Sequence, residues 1–213
     1  MISEPVVHVA RTVANTCAEG PGIRYAIWVQ GCTIRCPGCF NPHLWASTGG
    51  TPAAPDELVQ AARGTDAEGI TLLGGEPFDQ AAGLAAVAKG AQRVGLTVMT
   101  FTGHLLEGLR ARAENDAAAH DLLDATDLLV DGPYLSDQPD LTRPWVGSTN
   151  QRFHFLTARY MDLEHRIEDL PDRIEVRVAA NGAVALNGWA PIDKLDDLLA
   201  DTTGVAFKRG RVR

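Results

Sequence analysis

Short apolar runs that alternate with helical patterns constrain the fold of this chain more than any other feature of the sequence. Four runs are typical of short buried strands: residues 24–30, 69–73, 96–102 and 127–131. Three stretches after the first run have helical patterns: Asp56–Arg63, Gln80–Val94 and His104–Leu123. Because strands that alternate with helices favour parallel pairing through helical crossovers, the sequence predicts an α/β fold.

A residue with unusual chemistry or backbone freedom follows each of the four predicted strands. These residues are Cys32, Gly74, Gly103 and Gly132. In α/β folds, ligands bind at the carboxyl ends of parallel strands. The four strand ends therefore predict a single site at one edge of the sheet.

The C-terminal part of the chain has a different pattern. Two strand-like runs, Arg173–Val178 and Ala183–Asn187, flank a segment that ends in Asn181-Gly182, which is typical of a β-hairpin. Residues Pro191–Leu199 then predict a short helix.

Composition excludes several classes of protein. The formal net charge of −8 argues against a nucleic-acid partner, because proteins that bind the phosphate backbone are normally basic. The sequence has no signal-peptide pattern and no apolar run of the ~20 residues that span a membrane. Four cysteines in 213 residues are too few for a disulfide scaffold. We therefore expect a cytoplasmic protein without a membrane or nucleic-acid partner.

Three of the four cysteines form a compact motif. Cys32, Cys36 and Cys39 have the spacing Cys-x3-Cys-x2-Cys, and three thiolates so spaced can wrap one metal centre. A 4Fe–4S cluster held this way keeps one iron open for a further ligand. The alternative is a structural zinc site with His43 as fourth ligand. Cys17 stands apart and is expected to be a buried or loop thiol.

The motif resembles the signature of the radical S-adenosylmethionine (SAM) superfamily, and Gly74-Gly75-Glu76-Pro77 at the next strand end is similar to a second superfamily motif. Further matches resemble the activating proteins of the anaerobic ribonucleotide reductase: residues 20–24, 28–32, 39–42, 45, 102–103, 131–134 and 147–152. The resemblance covers about residues 5–156. We therefore expect a single domain over residues 1–213, with a C-terminal extension from about 157 to 213.

The resemblance implies an incomplete (β/α) barrel of parallel strands with a C-terminal β-hairpin and short helix. It also implies that the open iron of a 4Fe–4S cluster binds SAM, and that one electron cleaves SAM to methionine and a 5′-deoxyadenosyl radical. That radical would abstract hydrogen from a glycine of a partner glycyl-radical enzyme. The expected electron donor is a reductant such as flavodoxin or ferredoxin.

The same resemblance assigns the site residues. Cys32, Cys36 and Cys39 would hold the cluster, and Gly74, Gly75 and Glu76 would meet the methionine end of SAM. The remaining expected SAM contacts are Phe40 and Asn41 near the adenine, and Thr102, Ser148, Asn150 and Gln151 near the ribose or carboxylate. Pro133 and Tyr134 follow Gly132 where many relatives carry a lysine that pairs with the carboxylate. Arg143 or Arg152 could replace that lysine.

Two other functions fit parts of the sequence. A small radical SAM enzyme could act on its own nucleoside, amino-acid or peptide substrate. A non-enzymatic iron–sulfur or zinc module would need only the cysteines and would not cleave SAM. The Gly-Gly-Glu-Pro motif argues against that module, because an electron carrier does not need it.

Overall fold

The computed structural model describes residues 5–171, 173–178, 182 and 184–188. Its main sheet has seven strands: β1 (Val7–Thr16), β2 (Arg24–Val29), β3 (Thr51–Ala53), β4 (Gly69–Gly74), β5 (Thr97–Phe101), β6 (Leu128–Asp131) and β7 (Arg152–Phe155). The α-helices in the described residues are α1 (Pro55–Arg63), α2 (Ala81–Arg93), α3 (Leu106–Ala113) and α4 (Ala117–Asp124). A separate two-stranded hairpin contains β8 (Ile174–Val178) and β9 (Val184–Gly188).

The strand order of the main sheet is β3-β1-β2-β4-β5-β6-β7. Strands β2, β4, β5 and β6 pair in parallel, and they correspond to the four strands predicted from the sequence. Strands β1 and β3 extend one side by antiparallel pairing, and β7 pairs antiparallel with β6 on the other. The sheet is therefore mixed: its four central strands are parallel, whereas the strands on both sides pair antiparallel, which the sequence did not predict. Its carboxyl edge collects the four predicted strand ends.

The four α-helices contribute to the core on one face of the sheet. Alternate strand residues such as Ile27, Leu72 and Leu129 are fully buried there, in one apolar cluster with Leu84 of α2 and Leu122 of α4. Burial of each such side chain is worth ~1.5–3 kcal/mol. The helices therefore cover this face of the sheet, and the buried polar groups lie on the opposite face.

The opposite face carries small apolar clusters and a buried cation. Arg24 at the start of β2 is fully buried, and its guanidinium donates to the hydroxyls of Thr71, Thr97 and Tyr160 and to the carbonyl of Ile70. Burial lowers the pKa of Arg24, because desolvation disfavours the charged form. These bonds close the amino edge of the sheet, opposite the predicted site.

The long helix predicted over His104–Leu123 is two helices. Helix α3 ends at Ala113, and α4 begins at Ala117 after a short turn. The Asp116 side chain accepts hydrogen bonds from the N–H groups of Ala118 and Ala119, which caps the second helix. An N-cap aspartate in mid-segment favours a new helix start over continuation.

The C-terminal hairpin packs against the connection between β1 and β2. The N–H of Gly188 donates to Glu19 at 2.8 Å, and the amide of Asn187 donates to the hydroxyl of Thr16 at 2.9 Å. The helix predicted at Pro191–Leu199 lies outside the described residues. No helix in the described part of the chain is long and apolar enough to cross a membrane.

Candidate iron–sulfur and cofactor site

The loop that contains the three clustered cysteines leaves the carboxyl end of β2. Its start is fixed by two backbone bonds: the N–H of Gly31 donates to the carbonyl of Leu44 at 2.9 Å, and that of Cys32 to the carbonyl of Trp45 at 3.3 Å. Gly38 has φ +77°, and a Cβ there would lie 2.8 Å from the Cβ of Ser136. The glycine therefore allows both the turn and the close approach of the neighbouring loop.

The three thiols line one shared cavity. Cys32, Cys36 and Cys39 are free and partly buried. Burial raises the pKa of Cys32 and of Cys36, and backbone hydrogen bonds offset that rise only in part. Cys17 is also free but lies just after β1, at the opposite end of β2.

No group of three or more His, Cys, Asp or Glu side chains in the described residues is arranged to hold a single metal ion. In a cluster, by contrast, each thiolate binds a different iron, so the three sulfurs need not converge on one point. His43, the zinc ligand considered above, is exposed and is not among the described residues that line the cavity.

Gly74, the last residue of β4, and Gly75, which follows it, lie against the backbone of β2 and of the residues after it. Gly74 has φ +110°, and a Cβ there would lie 2.7 Å from the Cα of Trp28. A Cβ on Gly75 would overlap the carbonyl oxygen of Gly31. The N–H groups of Gly75 and Glu76 donate to the carbonyls of Val29 and Gly31, each at 2.8 Å. Only glycine lets this segment lie directly beside the start of the cysteine loop.

The carboxylate of Glu76 is buried and joins two strand ends. It accepts hydrogen bonds from the hydroxyl of Thr102 at 2.8 Å, the N–H of Gly103 at 3.0 Å and the N–H of Phe78 at 2.9 Å. Desolvation raises the pKa of Glu76 to about 7, although these bonds favour the ionised form. The side chain therefore fixes the end of β5 relative to that of β4.

Nine of the twelve residues predicted for the site line this one cavity. They are Cys32, Cys36, Cys39, Asn41, Gly74, Gly75, Glu76, Thr102 and Gln151. The cavity wall is completed by Ile34, Trp45, Phe101, Gly103, Gly132 and Tyr134, which were not assigned a role from the sequence. Gly103 and Gly132 lie at predicted strand ends, so the pattern that located the site also locates these two.

Three predicted residues lie outside the lining of the cavity. The Phe40 ring is 55% exposed and contacts Tyr134 with ring centroids 5.1 Å apart. Ser148 is buried, and its hydroxyl accepts from the N–H of Leu135 at 3.1 Å. The amide of Asn150 donates to the carbonyl of Pro133 at 2.8 Å, which leaves its Oδ1 buried without a partner among the described residues. These residues shape the loops around the cavity.

Both arginines considered as replacements for the missing lysine are engaged elsewhere. Arg143 pairs with Asp140 at 2.6 Å, and its other nitrogens donate to the carbonyls of Gln151 and Thr149. Arg152 pairs with Asp131 and, at 2.8 Å, with Glu107. Neither arginine lines the cavity in the described structure.

The model of the 4Fe-4S single cluster domain family matches residues 18–154. The anaerobic ribonucleoside-triphosphate reductase-activating protein of Escherichia coli K12 is 33% identical over 148 residues, which cover 65% of this chain and 92% of that protein. The protein of the same name from Vibrio cholerae is 34% identical over 149 residues, with the same coverage. That of phage T4 is 28% identical over 142 residues, which cover 63% of this chain and 85% of the phage protein.

Among solved structures, QueE from Escherichia coli aligns with a TM-score of 0.41 at 18% sequence identity, over 46% of this chain and 53% of QueE. The residues matched by the family model include the cysteine loop and all four central strands. This chain belongs to the 4Fe-4S single cluster domain family and to the family of anaerobic ribonucleoside-triphosphate reductase-activating proteins.

Proposed function

We propose that this protein binds a 4Fe–4S cluster and SAM in the cavity at the carboxyl edge of the sheet, and that it uses reductive cleavage of SAM to generate a glycyl radical in a partner enzyme. The observation that carries this proposal is the shared cavity. It brings three thiols together with the Gly-Gly-Glu segment after β4 and the ends of β5 and β6.

The donor set fits the proposed cluster. Cys32, Cys36 and Cys39 are thiols on one short loop, and each is partly shielded from solvent. The N–H of Asn41 already donates to Sγ of Cys39 at 3.4 Å, as expected for a sulfur that carries charge when it binds iron. Three thiolate ligands leave one iron of a four-iron cluster available to a substrate. Bound there, the cluster would supply the electron for reductive cleavage of SAM to methionine and a 5′-deoxyadenosyl radical.

The methionine end of SAM would lie beside the Gly-Gly-Glu segment. Gly74 and Gly75 expose backbone to the cavity, because neither position has room for a side chain. Glu76 provides a buried carboxylate, which is raised in pKa by desolvation. A bound ammonium group would offset that desolvation and favour the ionised carboxylate. Recognition of the amino group would therefore depend on a charge that the surrounding strands hold in place.

The other polar groups of the cavity would orient the rest of SAM. The lining residues in the described structure include no lysine, arginine or histidine, so neutral donors would meet the carboxylate. Candidates are the hydroxyl of Tyr134 and backbone N–H groups at the strand ends. Asn41, Thr102 and Gln151 line the same wall and can contact the ribose or adenine.

The shape of the sheet supports access by a large substrate. The four α-helices cover one face, while the polar residues and the cavity are on the other side and at the carboxyl edge. We interpret this as the wall of an incomplete barrel whose open side admits a glycine-containing segment of a partner. The curated relatives are named as activators of the anaerobic ribonucleoside-triphosphate reductase, and we propose a partner of that kind. A flavodoxin or ferredoxin would supply the electron.

Anaerobic reconstitution tests the cleavage step. The cluster-loaded protein, mixed with SAM and dithionite, should release 5′-deoxyadenosine, which chromatography measures. Cys36→Ala should abolish both the cluster absorbance and this product. An intact cluster that yields no 5′-deoxyadenosine would contradict the proposal.

A second measurement tests the partner. The cluster-loaded protein, SAM and a reductant should produce a glycyl-radical EPR doublet in an anaerobic ribonucleotide reductase from the same organism. SAM cleavage without a glycyl radical in that reductase would favour a small radical SAM enzyme with its own substrate.

A further inference from the structure

A second, larger cavity lies against the cysteine loop. Its volume is about 810 Å³, whereas that of the cavity proposed for SAM is about 140 Å³. Among the described residues, Cys32 and Trp45 line both cavities, so this part of the loop is the partition between them. The proposed cluster ligand Cys32 therefore borders an open space that is separate from the SAM site.

The loop is held firmly where it borders the larger cavity. Both oxygens of the Asp79 carboxylate accept hydrogen bonds from Thr33, one from its N–H at 2.8 Å and one from its hydroxyl at 2.9 Å. The side-chain amide of Gln80 donates to the carbonyl of Gln30 at 2.8 Å. These bonds fix the backbone on both sides of Cys32. This wall of the larger cavity is therefore preformed, and a partner that binds there need not order it.

Arg35 is the exposed cation of this wall. The charged side chains in the described lining of the larger cavity are Arg35, Arg112 and Asp79. Arg112 pairs with Asp116 at 2.8 Å. Arg35 has no ion pair among the described residues, and its Nε donates to the carbonyl of Cys32 at 3.4 Å. Its guanidinium therefore presents a positive charge beside Cys32, in a chain whose net charge is −8.

The backbone of Arg35 is in a conformation that is costly for an arginine. Its φ is +53°, in the left-handed region where the Cβ is crowded and glycine is favoured. Glycine would satisfy this turn of the cysteine loop without strain. An arginine held in this conformation indicates a role for its side chain.

We propose that this wall of the larger cavity is the docking surface for an acidic electron-carrier protein of the flavodoxin type, and that Arg35 attracts the carrier to the Cys32 side of the cluster. The inference rests on the proposed function, because it requires the cluster. The flavin of the carrier loses one electron and the cluster gains it, and no atom is transferred. SAM and the carrier then occupy opposite sides of the cysteine loop.

Charge explains why an acidic carrier would dock at this place. The net charge of −8 means that the protein as a whole repels a negatively charged partner. A local cation next to the electron acceptor offsets that repulsion and orients the encounter. Electron-transfer complexes bury little surface, so an open cavity with one unpaired arginine matches the size of contact that they use.

Stopped-flow reduction of the reconstituted protein by a reduced flavodoxin tests the inference. At low ionic strength, Arg35→Glu should lower the second-order rate constant by ~10-fold or more, because opposite charges accelerate association. Arg35→Gly, which suits the left-handed backbone, should give a smaller decrease. Arg63→Glu is the matched control, because Arg63 is the exposed last residue of α1, which leads towards the start of β4. Equal rate constants for the wild type and Arg35→Glu would overturn the inference.

Ionic strength separates docking from a change in the cluster itself. The decrease in Arg35→Glu should disappear in about 0.5 M salt, where the Debye length is only ~4 Å. A decrease that persists there would mean that the substitution alters the reduction potential, and it would overturn the inference. With excess dithionite, each variant should reach the same extent of cluster reduction and cleave SAM. Failure of the docking test therefore leaves the proposed function standing.

Hydrogen exchange on the wild type locates the surface without any variant. Oxidised flavodoxin, added to the cluster-loaded protein with SAM bound, should slow exchange in peptides that cover residues 30–36 and 78–83. Peptides that cover residues 63–68, at the amino edge of the sheet, should exchange as before. Protection confined to the amino edge or to the C-terminal hairpin would overturn the inference, as would loss of protection when SAM binds. Failure of the wild type to assemble a cluster would instead refute the proposed function.

Discussion

The hydroxyl of Thr102 donates a hydrogen bond to Oε1 of Glu76 at 2.8 Å and so joins the carboxyl ends of β5 and β4. Thr102→Val removes this donor from a buried carboxylate at nearly constant volume. A hydrogen bond to a charged group is worth ~1.5–3 kcal/mol, and we expect that loss in the free energy of unfolding. Because Glu76 would then be held less firmly, SAM should bind the cluster-loaded variant more weakly, as equilibrium dialysis would show.

Thr100→Val is the control for this prediction. Thr100 lies on the same strand, and its hydroxyl lies 3.0 Å from that of Thr126 rather than near Glu76. Thr126 keeps its bond to the carbonyl of Leu122, so no donor is orphaned. Thr100→Val should cost ~1 kcal/mol in stability and leave SAM binding unchanged. A similar loss of SAM affinity in both variants would argue against a specific role for the Thr102–Glu76 bond.

Gly75→Ala should disrupt the junction between β4 and the cysteine loop. The added Cβ would overlap the carbonyl oxygen of Gly31, which is backbone and cannot rotate away. We expect a destabilisation of ~3 kcal/mol or more, with little iron retained after reconstitution. Thermal unfolding and iron analysis measure the two effects. Gly108→Ala in α3, where a Cβ meets no atom within 4 Å, should instead stabilise the protein by ~0.5–1 kcal/mol.

We expect three of the four cysteines to bind the cluster and Cys17 to bind no iron. Cys36→Ala should lose the 4Fe–4S absorbance and most of the bound iron. Cys17→Ala should retain both, because Cys17 lies at the opposite end of β2 and its N–H, rather than its thiol, bonds to Glu175 at 2.6 Å. Loss of the cluster in Cys17→Ala would show that a fourth thiolate occupies the iron assigned to SAM.

The stability of the protein should decrease between about pH 4.5 and pH 7 because of Glu19. Burial raises the pKa of this carboxyl to about 7, and the bonds from Gly188 and Asn187 offset that rise only in part. In this range the unfolded chain releases the proton before the folded protein does. The free energy of unfolding therefore falls as pH rises, by up to ~3 kcal/mol, and is constant above the folded pKa.

Urea unfolding of Glu19→Gln over pH 5–8 measures this contribution. The variant should lose the part of the decrease that Glu19 causes, and so gain stability relative to the wild type as pH rises. Glu76, whose pKa is also raised to about 7, keeps its own contribution in both proteins. Glu175→Gln is an informative comparison: although burial acts against it, bonds from the N–H of Cys17 and from Arg177 lower the pKa of Glu175. The stability that ionised Glu175 contributes is lost as pH falls, so its effect on the pH dependence has the opposite sign to that of Glu19. Identical pH profiles for the wild type and Glu19→Gln would contradict the assignment.

The central strands were predictable because burial on both faces gives a parallel strand a continuous apolar run, as at Ala26–Val29. The outer strands β1, β3 and β7 could not be predicted in this way. Strand β1 has two register irregularities that break its period, β3 is three residues long and contains Pro52, and β7 is only partly buried. Their pairing depends on contacts between distant parts of the chain.

The candidate site was also only partly predictable from the sequence. The spacing of the three cysteines and the resemblance of Gly74-Gly75-Glu76 to a known motif predicted residues that line one cavity in the structure. Each of these two motifs is a short continuous segment, so it can be recognised from the sequence alone. The ion pairs of Arg143 with Asp140 and of Arg152 with Asp131 could not be predicted from the sequence, because they form only in the folded protein.

Strand β2 separates the cysteine loop at one end from the C-terminal hairpin at the other. Its six residues span ~20 Å, and the family match stops at residue 154, before the hairpin begins. A gene could therefore gain, lose or exchange the sequence encoding the hairpin while the cysteine end of the sheet stays as it is. Changes in the hairpin and changes in the cysteine loop thus fall at opposite ends of one short strand.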